Sequence, residues 1–380
     1  MLTPVRNRVE QHAPRHALAD LPLAKPDPAR IAVMLNGNAR KVTDRVARRL
    51  ERVIGADHIF RSRSLDEAEA YAREMVQRGY GTIVCGGGDG TLARAVNLVH
   101  RYVEEANAWR LERYRRFGER QPLLVSPRFA SLRLGTGNGL SGVIGSRDPV
   151  KDLQTIVDFV PGRVQRLPLI EMEGERFFFG GMGYDSQVLD DYYWLKARAK
   201  NPIMKALMQN VTGYLATVVA RTVPRLILGR ADVLEARVVN RGRAFFVDPR
   251  RGDFVEEVEP GAVLFEGRAH FISAGTTPFF GYGFRVFPFA RMMPGMMSLR
   301  AATVGPLAAL SHLPSLWKGN YRNATRLHDF LVEDVTVELE RPFPYQHSGD
   351  PQGLRDRMDL RIADEQLEIV DLYGPGRPVY

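Results

Sequence analysis

Two rhythms of apolar and polar positions run through the first half of the chain. "IAVMLNG" at 31–37 and "YGTIVC" at 80–85 are short, nearly uninterrupted apolar runs, which predict strands covered on both faces. Between them Val42, Val46, Leu50 and Ile54 recur at helical spacing, and a second helix is expected from Leu65 to Arg78. Its first turn carries Asp66 and Glu67, acids that suit the positive end of a helix dipole. A short segment around "HIFRSRS" lies between the helices, and "FASLRL" at 129–134 reads as a further strand. A helix begins near Thr91, and "RYVEEANAWRLERYRRFGERQP" reads as an extended, solvated helix of its own. Strands alternating with helices predict a parallel sheet wrapped by helices.

From about residue 163 the rhythm changes. "RVQRLPLIEM", "RFFFGGMG", "ARVVNRGRAFFV", "AVLFEGRAHFISAG" and "DVTVELERPF" are short segments rich in Val and Phe, broken by Gly, Pro or charge. They predict antiparallel strands, interrupted by helical stretches at roughly 189–222 and 306–318. "SRDPVKDLQTIVDFVPG" is read as the connecting helix. The expected organisation is a disordered leader at 1–29, an α/β nucleotide-binding domain at 30–162, and an antiparallel β-sandwich domain at 163–380. The active site is expected in the cleft between the two domains.

Composition narrows the class without changing this layout. With 380 residues, 44% hydrophobic and 26% charged, the chain has the makeup of a soluble globular protein of two domains. The single cysteine, Cys85, lies in an apolar strand, which suggests a small buried hydrophobe rather than a nucleophile. The most apolar helical stretch, "ALMQNVTGYLATVVA", is too short and too polar to cross a bilayer that needs about 20 apolar residues. A net charge of +9 admits nucleic acid, an anionic membrane or phosphate-bearing substrates. The arginines are scattered, and neither zinc spacing nor an RNA-binding aromatic motif is present, so nucleic acid fits least.

The candidate chemistry sits in "IVCGGGDGTLARAV", residues 83–96, where a strand should turn into a helix. Bare backbone at Gly86, Gly87, Gly88 and Gly90 lets amides approach an anion, and the start of the helix adds its positive end. Thr91 supplies a hydroxyl there. A second cluster, "GTGNG", follows the strand at 129–134. Neither cluster is a Walker A loop or a GxGxxG dinucleotide turn.

Together, "GGGDGT" and the later "LGTGNG" resemble the diacylglycerol kinase catalytic domain family, which includes bacterial lipid kinases and sphingosine kinases; the likeness runs from about residue 31 to 371. The resemblance implies ATP and Mg²⁺ as cofactors and transfer of the γ-phosphate to a lipid hydroxyl at a membrane surface. It also implies a cytoplasmic protein, peripheral at the inner membrane face. By position, Gly86 to Thr91, with Asp89 among them, would surround the ATP phosphates, and Gly135, Thr136, Gly137 and Asn138 would form the second nucleotide loop. Asn36 matches the asparagine of the family's first turn, and Ser62 a family Thr or Ser ahead of the glycine run. Asp89 would also face the metal carried by ATP. Asp185 in "GGMGYDSQV" matches a substrate-side aspartate, and Asp350 in "QHSGDPQG" stands where the family has its proton-accepting glutamate.

Several positions depart from that pattern. Ala93 and Arg94 replace the usual Asn-Glu pair, Gly139 replaces an aspartate, and Ser348 and Asp350 alter the late Asp-Gly-Glu element. "PFARMMPGMM" lacks the acids of a family magnesium site, so that structural metal site is expected to be missing; its methionines could line an acyl pocket or fill a core gap. His347 is a substitute acid/base, or an ordinary loop histidine. Two other readings stay open: a pseudokinase that binds nucleotide or lipid without turnover, and an NAD kinase, whose further motifs are not found.

Overall fold

A computed structural model of the protein describes residues 21–135, 138–158, 163–198, 233–248, 250–280 and 283–373. The leader at 1–20 lies outside them, while strands Leu23–Ala24 and Asp27–Asn36 begin inside the stretch expected to be leader. The first sheet has six strands, in the order Ile59–Ser62, Asp27–Asn36, Tyr80–Gly87, Arg128–Arg133, Leu367–Val370 and Val164–Leu167. All neighbours are parallel except the last pair.

Both faces of this sheet are apolar, because side chains alternate along each strand. Ala32, Met34, Ile83 and Cys85 face helices Leu65–Gln77 and Asp89–Phe117, meeting Ala72, Met75, Val96 and Val99. Val33, Leu35, Val84 and Leu132 face helices Asp44–Ile54 and Pro149–Asp158, meeting Leu50 and Leu153. Side-chain caps start two of these helices: Thr43 accepts from Val46 N and Ser64 from Glu67 N. Cys85 is 1% exposed, and burial pushes its thiol pKa up to about 12, so it is a packing residue.

Two elements differ from expectation. The segment after the glycine run and the charged segment beyond it form one helix, Asp89–Phe117, which ends at Gly118 in the left-handed conformation. Its first half buries Leu92, Val96, Val99 and Val103 against the sheet, whereas Trp109 and Phe117 stand exposed; the change of polarity marks a change of surroundings, not a helix boundary. Strands Val164–Leu167 and Leu367–Val370, read from sequence as part of the second unit, belong to the first sheet. Short apolar alternation shows that a strand exists but not which sheet it joins.

Strands Leu23–Ala24 and Leu123–Leu124 make a small parallel pair, and the other strands form one large antiparallel sheet around a core of Met182, Ile272, Leu299, Phe330, Val337 and Tyr345. Strand Asp334–His347 pairs with Leu234–Asn240 through Val335–Leu339 and with Phe179–Gly183 through Tyr345–His347, so one strand spans both parts of the layer. Met296 and Met297 are buried in this sheet's cores, which makes the methionine-rich segment core filling at those positions. Helix Tyr184–Arg198 begins the expected 189–222 helical stretch, and residues 199–222 lie outside the described ones. The 306–318 stretch is two short helices, Pro306–Ser311 and Leu313–Lys318.

The two sheets are joined at the long helix. Asn97 donates from Nδ2 to Arg176 O at 2.8 Å and accepts from Arg176 N at 2.8 Å, which fixes strand Glu175–Phe177 against that helix. The same helix therefore carries the glycine turn and anchors the antiparallel sheet.

Candidate active site

Strand Tyr80–Gly87 runs through Gly86 and Gly87, and Gly88 is the N-cap of the long helix. Gly88 makes no side-chain cap bond, which leaves the amides of the helix start facing out of the sheet's carboxyl edge. Such a crevice, beyond the carboxyl ends of parallel strands, is where open α/β sheets bind ligands.

Much of the bareness of the glycines is used by the chain itself. A Cβ on Gly135 would stand 2.3 Å from Gly88 Cα, so the two glycine loops touch backbone to backbone. Gly135 N donates to Gly87 O at 2.7 Å and completes the clasp. Gly86 is bare because Leu35 packs there and Gly87 because the Thr91 side chain does, which gives both a packing role not read from the sequence. On Gly90 a Cβ would lie 2.8 Å from Asp350 Oδ2.

Asp89 turns away from its own helix. Its Oδ2 accepts from Gly139 N at 2.8 Å and its Oδ1 from Leu140 N at 3.1 Å, so it caps helix Gly139–Ile144. Burial pushes its pKa up to about 6 against the pull of the two amides. Both oxygens are thus engaged, and no group of three or more His, Cys, Asp or Glu gathers around a possible cation among the described residues. The contacts that Asp89 makes are to the backbone of the second loop, which it holds in place.

The other residues expected on the nucleotide side meet nearby. Asn36 Nδ2 donates to Thr91 Oγ1 at 3.1 Å, tying the first strand's end to the glycine turn. Ser62 is paired with Asn36 in register, and its carbonyl accepts from Gly37 N at 2.7 Å. Asn138 closes the second loop on itself, donating to Gly135 O at 2.7 Å and accepting from Gly135 N at 3.2 Å. Thr136 and Gly137 lie outside the described residues.

From the antiparallel sheet comes Asp350. Ser348 and Gly349 have φ of 49° and 83°, the two left-handed residues of a tight hairpin turn between Asp334–His347 and Asp350–Ile362. Ser348 N donates to Phe179 O at 2.8 Å, and Gly349 N to Gln346 Oε1 at 3.1 Å. Asp350 thus starts a strand and is held over the first turn of the long helix. Its Oδ2 accepts from Arg94 Nη2 at 3.3 Å.

Asp185 is buried behind the turn. Its Oδ2 accepts from Gln346 Nε2 at 3.0 Å, its Oδ1 is buried without a partner, and burial pushes its pKa up to about 6. Gln346, which the sequence did not single out, bridges Asp185 to the turn that presents Asp350. His347 is not a loop histidine. It lies in the strand, its ring stacks on Phe177 at 4.8 Å, and burial lowers its pKa to about 4. A ring held this way is neutral at physiological pH and committed to packing.

Two comparisons bear on this arrangement, and a search of curated proteins gave no match. Two solved structures from Bacillus anthracis strain Sterne, one described as a diacylglycerol kinase and one as a candidate for that activity, share the fold. They align at 15% identity over 91% of this chain and 97% of theirs, with TM-scores of 0.59 and 0.60. Among the described residues, no helix is long and apolar enough to cross a membrane. The family model for the diacylglycerol kinase catalytic domain matches residues 30–169, which hold both glycine loops and the helix beneath Asp350. Over that span the chain is similar to the diacylglycerol kinase catalytic domain family.

Proposed function

We propose that the protein is an ATP-dependent lipid kinase that phosphorylates a hydroxyl of diacylglycerol or a related lipid at a membrane surface. The observation that carries this reading is the meeting of Asp350, from the antiparallel sheet, with Gly90, in the first turn of the phosphate-side helix. A carboxylate stands where an anion-binding helix start and a second sheet converge, as transfer from a nucleotide to a hydroxyl requires.

The reaction follows from that placement. The uncapped start of helix Asp89–Phe117 and the clasped loops around Gly87, Gly88 and Gly135 receive the ATP phosphates. Mg²⁺ carried by the ATP phosphates would neutralise their charge. The acceptor hydroxyl oxygen bonds the γ-phosphorus as the β,γ-bridging P–O bond breaks and leaves its electron pair on ADP. The hydroxyl proton passes to Asp350. Asp89 acts on this step only by holding the second loop in place.

The test is transfer from γ-labelled ATP, with Mg²⁺, into diacylglycerol, monoacylglycerol and sphingoid bases in mixed micelles, and separately into NAD. Wild type should label at least one lipid, and Asp350→Asn should lose most of that activity while still binding ATP. Tight ATP binding with no labelled lipid would overturn the reading in favour of a nucleotide-binding pseudokinase. Label in NAD would point to the other kinase class.

A further inference from the structure

Gly90 and Arg94 are four residues apart on one helix, so they share a face one turn apart. A long side chain on a helix leans back over the preceding turn. Arg94 therefore lies over the patch that Gly90 leaves bare, and the Asp350 carboxylate fills that patch. Oδ2 sits 3.3 Å from Arg94 Nη2, and the same oxygen is the atom nearest a Cβ placed on Gly90. The two groups are about half and one third exposed, 47% for Arg94 and 34% for Asp350, so the pair is reachable by substrate.

We propose that Arg94 is a positioning residue, whose guanidinium holds the Asp350 carboxylate over Gly90 in the place from which it takes the acceptor's proton. The proposal rests on the lipid-kinase reading above. An aspartate reaches less far than a glutamate by one methylene, and a carboxylate on a hairpin tip can swing. A cation fixed to the helix that carries the phosphates removes that freedom at the point of reaction. The turn is braced from the other side by Gln346, which accepts from Gly349 N at 3.1 Å. The acid is thus set between a brace on its own sheet and a guanidinium on the facing helix.

Steady-state kinetics of the full-length protein with MgATP and its best lipid acceptor test this. The variants are Arg94→Ala, Arg94→Lys, Asp350→Asn and the double variant Arg94→Ala/Asp350→Asn, each checked for an unchanged melting temperature. A displacement of about 1 Å costs around a hundredfold, so Arg94→Ala should lower kcat by roughly ten- to a hundredfold with KM for ATP changed less than about twofold. Lysine should restore part of that loss. The double variant should be no slower than Asp350→Asn, because Arg94 acts only through the acid. A rise in KM for ATP at unchanged kcat makes Arg94 a phosphate ligand and overturns the proposal, as do additive losses in the double variant. If Asp350→Asn retains full activity, the assignment of the proton acceptor fails instead. If wild type transfers no phosphate, the kinase reading fails and the proposal with it.

Discussion

The carboxylate of Asp89 lies 2.8 Å from the amide of Gly139 and 3.1 Å from that of Leu140. The acid in the middle of the glycine turn is therefore the cap of the next helix. The related pattern has an aspartate at position 139; here that residue is glycine, and its backbone amide donates to a carboxylate from across the site. The two loops that should share a nucleotide are joined by this side chain before any ligand arrives.

Removing that carboxylate should loosen both loops. Asp89→Ala leaves two buried amides without acceptors, at about 1 to 3 kcal/mol each. Asp89→Asn keeps one acceptor oxygen and should recover about half of the loss. Urea denaturation of the three proteins reads the order directly. If Asp89→Asn matched wild type in stability yet raised the Mg²⁺ requirement for turnover, the acid would be a metal contact and not a cap.

Asp185 should give the protein a pH-dependent stability of a definite sign. Its folded pKa is raised from 3.8 to about 6, mainly by desolvation. The folded state therefore binds the proton more tightly than the unfolded chain, and the group's stabilisation is complete below about pH 4 and lost as pH rises through about 6. Asp89, raised to about 6 by the same cause, contributes with the same sign. Melting temperatures of wild type should fall between pH 5 and 7.5 by more than those of Asp185→Asn, which has no charge to bury. Parallel curves for the two proteins would rule out a buried, proton-binding Asp185.

Gly135 tests the clasp between the loops. A Cβ there would fall 2.3 Å from Gly88 Cα and 2.4 Å from Gly88 N, both backbone atoms that cannot rotate away. Gly135→Ala should destabilise by about 1 to 3 kcal/mol and should weaken ATP binding by forcing the loops apart. Isothermal titration with ATP, alongside thermal melts, distinguishes a local shift from general unfolding. Gly118→Ala, at a helix end with nothing within 4 Å, should leave ATP affinity unchanged.

How much of this was legible beforehand depended on distance along the chain. Helix Leu65–Gln77 carries its own signals, a Ser64 cap and acids in the first turn, and the sequence shows it within a residue. The central strands Asp27–Asn36, Tyr80–Gly87 and Arg128–Arg133 were equally plain, since burial leaves apolar runs, whereas the places of Val164–Leu167 and Leu367–Val370 were not. The glycine loops were legible as a site, but the reason for their bareness was not. It lies in Leu35, Thr91, Gly88 and Asp350, which the fold brings up from elsewhere. Arg94 and Asp350 stood out separately as departures from a family pattern, and no local rule joins residues 256 positions apart. Gln346 gave no signal at all, because a glutamine becomes informative only once its two partners are known.

Asn97 carries the last prediction, because it links helix Asp89–Phe117 to the sheet that carries Asp350. It is 8% exposed and makes a reciprocal pair with the backbone of Arg176, both bonds at 2.8 Å. Asn97→Leu would bury one backbone N–H and one C=O without partners, at a cost of about 2 to 6 kcal/mol for the two groups. The damage should not be confined to stability. Strand Glu175–Phe177 runs close to Phe179, whose carbonyl receives Ser348 N and seats the hairpin turn of Asp350. A conservative Asn97→Asp variant keeps the acceptor for Arg176 N but loses the donor to its carbonyl, so it should fall between the two in stability. If the helix positions the acid as described, kcat should fall in the same order, Asn97→Leu below Asn97→Asp below wild type, while ATP affinity changes little. Stability falling without any change in kcat would mean that the two sheets keep their registration by other contacts.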